Sequence, residues 1–524
     1  MHIVIPLSGV GQRFINAGYN IPKPLIEVDG MPMIEHIVNL FPDETKITFI
    51  CNDLHLKETD MEKILKRIVP TSKIIEVSVN NRKGPVHAVT FAYDNIDEEE
   101  EIIISYCDYG TWWNYKDFLN KVHQSNADGA IASYIGFHPH MLGSDNYAFM
   151  QHDNMWVTKI QEKKPFTDNK MNEYASNGTY YFKSGKILKK YFNELIDEDI
   201  QINGEYYVSM VYNLLIQDKL NILIYEIDNM LQWGTPYDLE IYNMWSSYFK
   251  KKKDKMISFV DKDNTHIILP MAGRGSRFSM VGYNTAKPFL EIEGLPMIIQ
   301  AIDSLPKINN LSIITLKEHL LKYPKEFDLI KEHYPDVNIT EINDITEGQA
   351  TTCSIIIDNI EDNVPILISA CDNGAYYNME EYEKLVNDPT VDVIVWSFTN
   401  NPTSKLYPNM YAWLDVDEKG NIKNVSVKKP LVNKENKHAI IGTMLFKKSK
   451  LFKEGYKYIT DNKIKTNGEY YVDDLLNPLI KMGYNVKVFA VDYYLCWGTP
   501  NDYKTYLYWE DFFNKCTWHP YTRL

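Results

Sequence analysis

One set of residues recurs at one spacing in this 524-residue chain: two glycines two positions apart, an arginine two further on, and a lysine beside a proline ten residues later. The first occurrence is Ser8-Gly9-Val10-Gly11-Gln12-Arg13, then Ile21-Pro22-Lys23-Pro24. The second is Ala272-Gly273-Arg274-Gly275-Ser276-Arg277, then Thr285-Ala286-Lys287-Pro288. Two glycines let the backbone come close to a ligand, and their amides can point at phosphate oxygens. A following helical turn would add its dipole. A fork-shaped guanidinium and a compact ammonium near those amides make a clamp for a polyphosphate. The same residues also suit a tight structural turn flanked by two solvated cations. There is no third glycine for a dinucleotide fold and no Gly-Lys-Ser/Thr for a P-loop.

An acid follows a short apolar run in each half: Cys107-Asp108-Tyr109-Gly110 after residues 102–106, and Cys371-Asp372-Asn373-Gly374 after residues 365–370. A carboxylate at a strand end can hold Mg²⁺, which keeps waters and bridges substrate phosphates. It can equally open an Asx-type turn before the glycine. Neither acid is part of a D-x-D. The aromatics that follow, Trp112-Trp113-Asn114 and Tyr376-Tyr377-Asn378, suit core packing better than an acceptor pocket. His87 has no Ser or Cys in a triad-like context and receives no catalytic role.

The elements that must hold these residues come twice. Residues 2–34 and 266–298 are identical at 17 of 33 positions with a constant offset of 264. The same offset carries Gly84 to Gly348, Asp108 to Asp372, Gly178 to Gly442, Glu205 to Glu469 and Trp233 to Trp497. That period is far too long for a solenoid, so each copy is expected to be a whole domain. The charged run 250–255 reads as a solvated linker, which gives domains 1–255 and 256–524. Apolar runs at 2–6 and 266–270 read as buried strands entering a Gly turn, and residues 33–40 and 297–305 as helix starts after a proline. Strands alternating with helical stretches indicate α/β domains with largely parallel sheets, whose ligands lie outside the carboxyl ends of the strands.

Composition bounds the rest. The formal charge of −15, from 55 basic and 70 acidic residues, argues against a nucleic-acid or membrane-surface partner. Six cysteines form no C-x-x-C pair or metal-ligand spacing, which fits a reducing compartment. With no run of about 18 apolar residues and no signal-peptide pattern at the start, a cytoplasmic location is expected.

The pattern G-x-G-x-R…P-K-P after an amino-terminal strand resembles the sugar-phosphate nucleotidyltransferases, or pyrophosphorylases. The longer string M-A-G-x-G-S-R-F…G-Y…K-P is similar to the branch in bacterial surface-glycan pathways that includes cytidylyltransferases. The resemblance covers nearly all of both copies. It implies two tandem Rossmann-like (GT-A-like) α/β domains with mixed, mostly parallel central sheets. It also implies the reaction NTP + R-phosphate → NDP-R + pyrophosphate, with CTP favoured among the nucleotides.

By that likeness Arg13, Lys23, Arg277 and Lys287 hold the triphosphate. Ser8, Gly9, Gly11, Ala272, Gly273 and Gly275 cradle the nucleotide, with Gly84, Gly348 and Gln349 at the base. Asp108 and Asp372 ligate Mg²⁺, and Lys163-Lys164 and Lys428-Lys429 resemble an E-K-P element whose lysine meets the acceptor phosphate. Only the first copy keeps that element's acid: Glu162 against Val427. The family's W-x-D-x-G-T string is altered to Gln232-Trp233-Gly234-Thr235-Pro236 and Cys496-Trp497-Gly498-Thr499-Pro500. The second metal carboxylate is therefore unassigned, with Asp228/Asp492 and Glu205/Glu469 as options. The expected partners are an NTP and a phosphorylated small molecule, and the copies could pair as a pseudo-dimer. Two active sites with different acceptors lead over three alternatives: a catalytic second copy with the first a scaffold, a glycosyltransferase consuming an activated donor, and a pure binding or structural module.

Overall fold

The computed structural model describes residues 1–252, 264–399, 401, 404, 407–431 and 438–523. It divides into two compact units, Met1–Lys253 with Tyr508–Leu524, and Asp254–Leu507. The sequence reading ran the second copy through residue 524. The final stretch instead groups with the first unit, where its aromatic residues find partners. Tyr508 donates to the Met230 carbonyl at 2.7 Å, and buried His519 lies 3.1 Å from the Ser246 carbonyl. The charged run also differs from expectation: Lys250 and Lys251 close the Pro236–Lys251 helix. Lys250 Nζ sits 2.6 Å from the buried Asp29 carboxylate. Residues 253–255 lie outside the described residues.

In the first unit His2–Leu7 lies inside the sheet, parallel to Ile47–Asn52 on one side and Ile102–Ser105 on the other. Its residues alternate between two cores: Ile3, Ile5 and Leu7 face one, Val4 the other. Beyond Ile102–Ser105 comes Tyr174–Phe182, antiparallel to both Ile102–Ser105 and Gly129–Tyr134. Ile222–Glu226 then runs parallel to Gly129–Tyr134, and Trp156–Glu162 and Ala148–Asp153 at one edge with Lys73–Val77 at the other, beside Ile47–Asn52, complete nine strands. The sheet is thus mixed, not mostly parallel. Tyr174–Phe182 follows the antiparallel pair Ala148–Asp153 and Trp156–Glu162 without a crossover helix, and a parallel neighbour would need one.

The second unit repeats this order around His266–Met271, with His438–Phe446 as the antiparallel strand. The offset of 264 survives as register. Tyr180 pairs with Ile104 and Met444 with Ile368, while Ser176 pairs with Ser133 and Ile440 with Ser397. Even the strand entrance is repeated: His2 Nε2 lies 2.8 Å from Thr48 Oγ1, and His266 Nε2 2.8 Å from Ser312 Oγ. Among the described residues no helix is long and apolar enough to cross a membrane.

Candidate active site

The His2–Leu7 strand runs out into the loop 8–11, and Gly11, in the left-handed region at φ 70°, caps the short Gln12–Asn16 helix. Gly275, at φ 61°, does the same before Ser276–Ser279. Phe14 is buried and anchors the turn, which leaves Arg13 exposed beside it. Gly9 and Gly273 face open space, since a Cβ on either would meet nothing within 4 Å. Lys23 opens a single 3-10 turn, Lys23–Leu25, with its ammonium hydrogen-bonded to Asp108 Oδ2 and, at 3.2 Å, to the Gly234 carbonyl. Lys287 Nζ lies 2.6 Å from Asp372 Oδ2. Burial opposes both charges of this second pair. Their mutual attraction prevails, so the Lys287 pKa is raised and the Asp372 carboxyl is held below its usual range.

Each acid is fixed from behind by the tryptophan motif. The strands Tyr109–Trp112 and Asn229–Gln232 form a two-stranded ribbon, and Trp233 N donates to the Asp108 carbonyl at 3.1 Å. Trp497 N donates to the Asp372 carbonyl at 3.0 Å. The buried Trp233 ring occupies the space over Gly110. Gly234 is required by close approach: a Cβ there would stand 3.0 Å from Gln232 Oε1 and 3.1 Å from Asp108 Oδ2.

These parts meet at a cavity of about 410 Å³ in the first unit. Its lining includes Gly11, Arg13, Lys23 and Asp108 together with Glu162, Lys163, Asn177 and Tyr207. Lys163 has left-handed backbone (φ 59°), as has Lys428 (φ 57°), a conformation unfavourable for lysine that is kept in both copies. The Lys163 ammonium lies 4.3 Å from the Tyr207 ring centroid and bonds its hydroxyl, which in turn donates to Glu205. Lys428 lies 5.7 Å from the Tyr471 ring centroid. The neighbouring Lys164 and Lys429 are exposed, and Lys164 does not line the cavity. Nor do Ser8 and Gly9. In the second unit Gly275 and Lys287 line a cleft of about 290 Å³ with Arg274, Tyr283 and Lys322, while Ala272 is buried.

Gly84 does not line the cavity, and its need for glycine has a packing cause. At φ 94° its Cβ would fall 2.6 Å from Tyr206 N, where Tyr206 N donates to the Lys83 carbonyl. Gly348 and Tyr470 repeat this approach, with Gln349 opening the helix that follows. Of the aromatic pairs, Trp113 and Tyr377 pack on the core, while Trp112 and Tyr376 are half-buried. Trp113 donates to the Leu40 carbonyl at 3.2 Å and packs on Phe41 and Phe118, and Tyr377 is buried against Trp396.

Two features were missed in the sequence. Asp238 lines the cavity four residues after Gly234, and Asp502 holds the same place after Gly498. In each copy the threonine hydroxyl caps the helix by accepting from the aspartate N–H at 3.2 Å and donates to its Oδ2 at 2.6 Å. Burial pushes the Asp238 pKa up to about 6, against the Thr235 hydroxyl and the nearby Arg13 and Lys23. The signal was T-P-x-D, repeated at the common offset. Asp228, by contrast, does not line the cavity, whereas Glu205 does.

The second feature is an acid that changed address. Glu162, whose pKa burial raises, accepts from Ser209 Oγ at 2.6 Å. Register places Val427 at the Glu162 position, since Glu162 pairs with Ala148 and Val427 with Ala412. Asp473 stands at the Ser209 position, its pKa pushed up to about 6 by burial against the pull of Lys428. The second copy has therefore kept an acid beside its lysine by moving it from strand to helix.

Comparison with known proteins adds a family. The family model described as nucleotidyl transferase matches residues 3–207. Among solved structures, a nucleoside-diphosphate-sugar pyrophosphorylase from Vibrio cholerae RC9 is 24% identical, with 46% of this chain and 99% of that one covered, at a TM-score of 0.39. A putative glucose-1-phosphate thymidylyltransferase from Bacillus anthracis is 17% identical over 50% and 98%, also at 0.39. The inositol-1-phosphate CTP transferase from T. maritima is 12% identical over 46% and 93%, at 0.36. Over residues 3–207 the first unit is similar to the nucleotidyl transferase family.

Proposed function

We propose that the chain transfers a nucleotidyl group from an NTP to a phosphorylated small molecule and releases pyrophosphate, at one site in each unit. The observation that carries this reading is one cavity lined by Arg13, Lys23 and Asp108 and also by Lys163. Three cations and an acid in one cavity suit two phosphorylated ligands that must meet. An acceptor phosphate oxygen attacks the α-phosphorus, the bond to the bridging β-phosphate oxygen breaks, and pyrophosphate leaves with that electron pair. No covalent nucleophile is required, because an ionised phosphate is already nucleophilic.

The residues contribute position and charge. Arg13 and Lys23 neutralise the triphosphate, the open backbone at Gly9 admits it, and Lys163 holds the acceptor phosphate. The donor set suits Mg²⁺: Asp108 and Asp238 face one cavity, and an ion of this kind takes one or two carboxylates and completes its shell with water and phosphate. When bound it would neutralise charge on the phosphates and polarise the α-phosphoryl group. Asp372 and Asp502 hold the corresponding places in the second unit. CTP is the favoured nucleotide and a precursor of a surface glycan the favoured product on the sequence resemblance, and the cytoplasm is the favoured location on the cysteine pattern and the want of a long apolar run.

The test is pyrophosphate release by the full chain with Mg²⁺, five NTPs and a panel of phosphate esters. Release that depends on one NTP and on Lys23 or Lys287 supports the reading. Unchanged activity in the Lys23→Ala/Lys287→Ala double variant overturns it.

A further inference from the structure

The two copies share the clamp and differ in other residues at the cavity lining. In the first unit those residues are hydrogen-bonding. Asn177 is buried, its Oδ1 accepts from Thr179 N at 2.9 Å, and its Nδ2, facing a buried environment, has no protein partner among the described residues. The fixed Oδ1 sets the amide's orientation, so the NH₂ group is left for a ligand oxygen. An unpaired buried donor of this kind is destabilising unless something bonds it. Around it stand Ser176, the Glu162 carboxyl and the Gln232 amide, all lining the same cavity.

Register gives the second unit's counterparts one by one. Ser176 becomes Ile440, since each pairs with the serine at the same place in the neighbouring strand. Asn177 becomes Ile441, and both isoleucines are buried. Glu162 becomes Val427, and Gln232 becomes Cys496, by its pairing with Asn373 where Gln232 pairs with Tyr109. Four hydrogen-bonding side chains have given way to three aliphatics and a thiol. Tyr494 stands where Met230 does and stacks on Phe398 at 4.8 Å and 5°. The lysine and an adjacent acid remain, as Lys428 and Asp473.

We propose that the two sites sort acceptors by hydroxylation: the first takes a polyhydroxylated phosphate ester, and the second a phosphate ester whose organic part carries few hydroxyls. This rests on the nucleotidyl-transfer reading for the acceptor's position. The chemistry is that of an unpaired polar group. A wall built to hydrogen-bond several hydroxyls rejects a molecule lacking them, and an apolar wall leaves a polyol's hydroxyls unpaired.

The test uses the full chain, with glucose 1-phosphate and n-propyl phosphate as probes and binding read by ligand-observed NMR. Removing the acceptor-phosphate lysine isolates each site: Lys428→Ala leaves the first, Lys163→Ala the second. The expected result is at least tenfold tighter binding of glucose 1-phosphate over propyl phosphate at the first site, with that ratio near one or reversed at the second. Asn177→Ile should remove the first site's preference. Should that variant not fold, Ile441→Asn with Ile440→Ser, which should create a glucose 1-phosphate preference at the second site, decides instead. Equal ratios at both sites, or binding of neither probe at either site, overturn the proposal. The expected binding pattern without pyrophosphate release from any NTP would sustain it and overturn nucleotidyl transfer.

Discussion

Lys287 Nζ stands 2.6 Å from Asp372 Oδ2, and the same pair, Lys23 with Asp108, closes the first unit's site across the same 85 residues of sequence. In each copy the lysine of the P-K-P or A-K-P turn and the strand-end acid are one electrostatic object. The acid expected to meet a metal is therefore already held by the cation expected to meet the triphosphate.

Substituting the lysine should consequently cost stability as well as turnover. Lys287→Ala leaves Asp372 half-buried without its cation, a loss of roughly 1–3 kcal/mol. Thermal unfolding should show a fall of several degrees for Lys287→Ala, partly recovered in Lys287→Ala/Asp372→Asn. Pyrophosphate release from the second site should stay lost in both. Full additivity of the two substitutions would show that the pair is not coupled.

Three glycines should behave differently. Gly84→Ala puts a Cβ 2.6 Å from backbone and should lower the melting temperature strongly. Gly234→Ala crowds Asp108 Oδ2 at 3.1 Å and should cut turnover tenfold or more with a smaller stability effect. Gly9→Ala meets no atom within 4 Å, so its melting temperature should hold while NTP affinity falls. Retained affinity in Gly9→Ala would remove the triphosphate from that loop.

Asp238 gives a pH signature. Its pKa, raised by burial to about 6, lies above the usual carboxylate value near 3.8, so ionisation disfavours the folded state as pH rises through that window. Asp238→Asn should therefore gain stability at pH 7.5 relative to pH 4.5, by at most about 3 kcal/mol. Turnover at the first site should fall at least tenfold. A variant that loses stability and keeps its activity would make Asp238 a helix cap alone.

His2 gives the opposite slope. Burial, helped by nearby Lys46, lowers its pKa to about 4 from the usual 6.5, so the neutral ring is favoured in the folded state. Its contribution is complete above pH 6.5 and is lost as pH falls toward 4, about 3 kcal/mol over the window. His2→Gln, which can still meet Thr48, should flatten the acid limb of the first unit's stability profile. An unchanged limb would assign acid sensitivity to other groups.

The sequence by itself determined the duplication, the strand–Gly loop–lysine element and the strand-end acid, because each is local and recurs at one offset. It also carried the choice of core packing for Trp113 and Tyr377, where large rings next to a buried strand have little alternative. What only the tertiary structure decided depends on residues far apart in the chain. Asp238 enters the cavity because the Tyr109–Trp112/Asn229–Gln232 ribbon brings its helix to Asp108. Asp473 replaces Glu162 across a strand–helix contact that no linear motif can record. The packing need for glycine at position 84 is visible only once Tyr206 is seen against it. The sheet is mixed because a hairpin, not a helix, feeds Tyr174–Phe182, and the chain's last residues return to the first unit because their aromatic surface is covered there. Pattern in a chain reports what neighbours in sequence must do; which distant groups neutralise or exclude one another is settled only when burial sets the energy of leaving them unpaired.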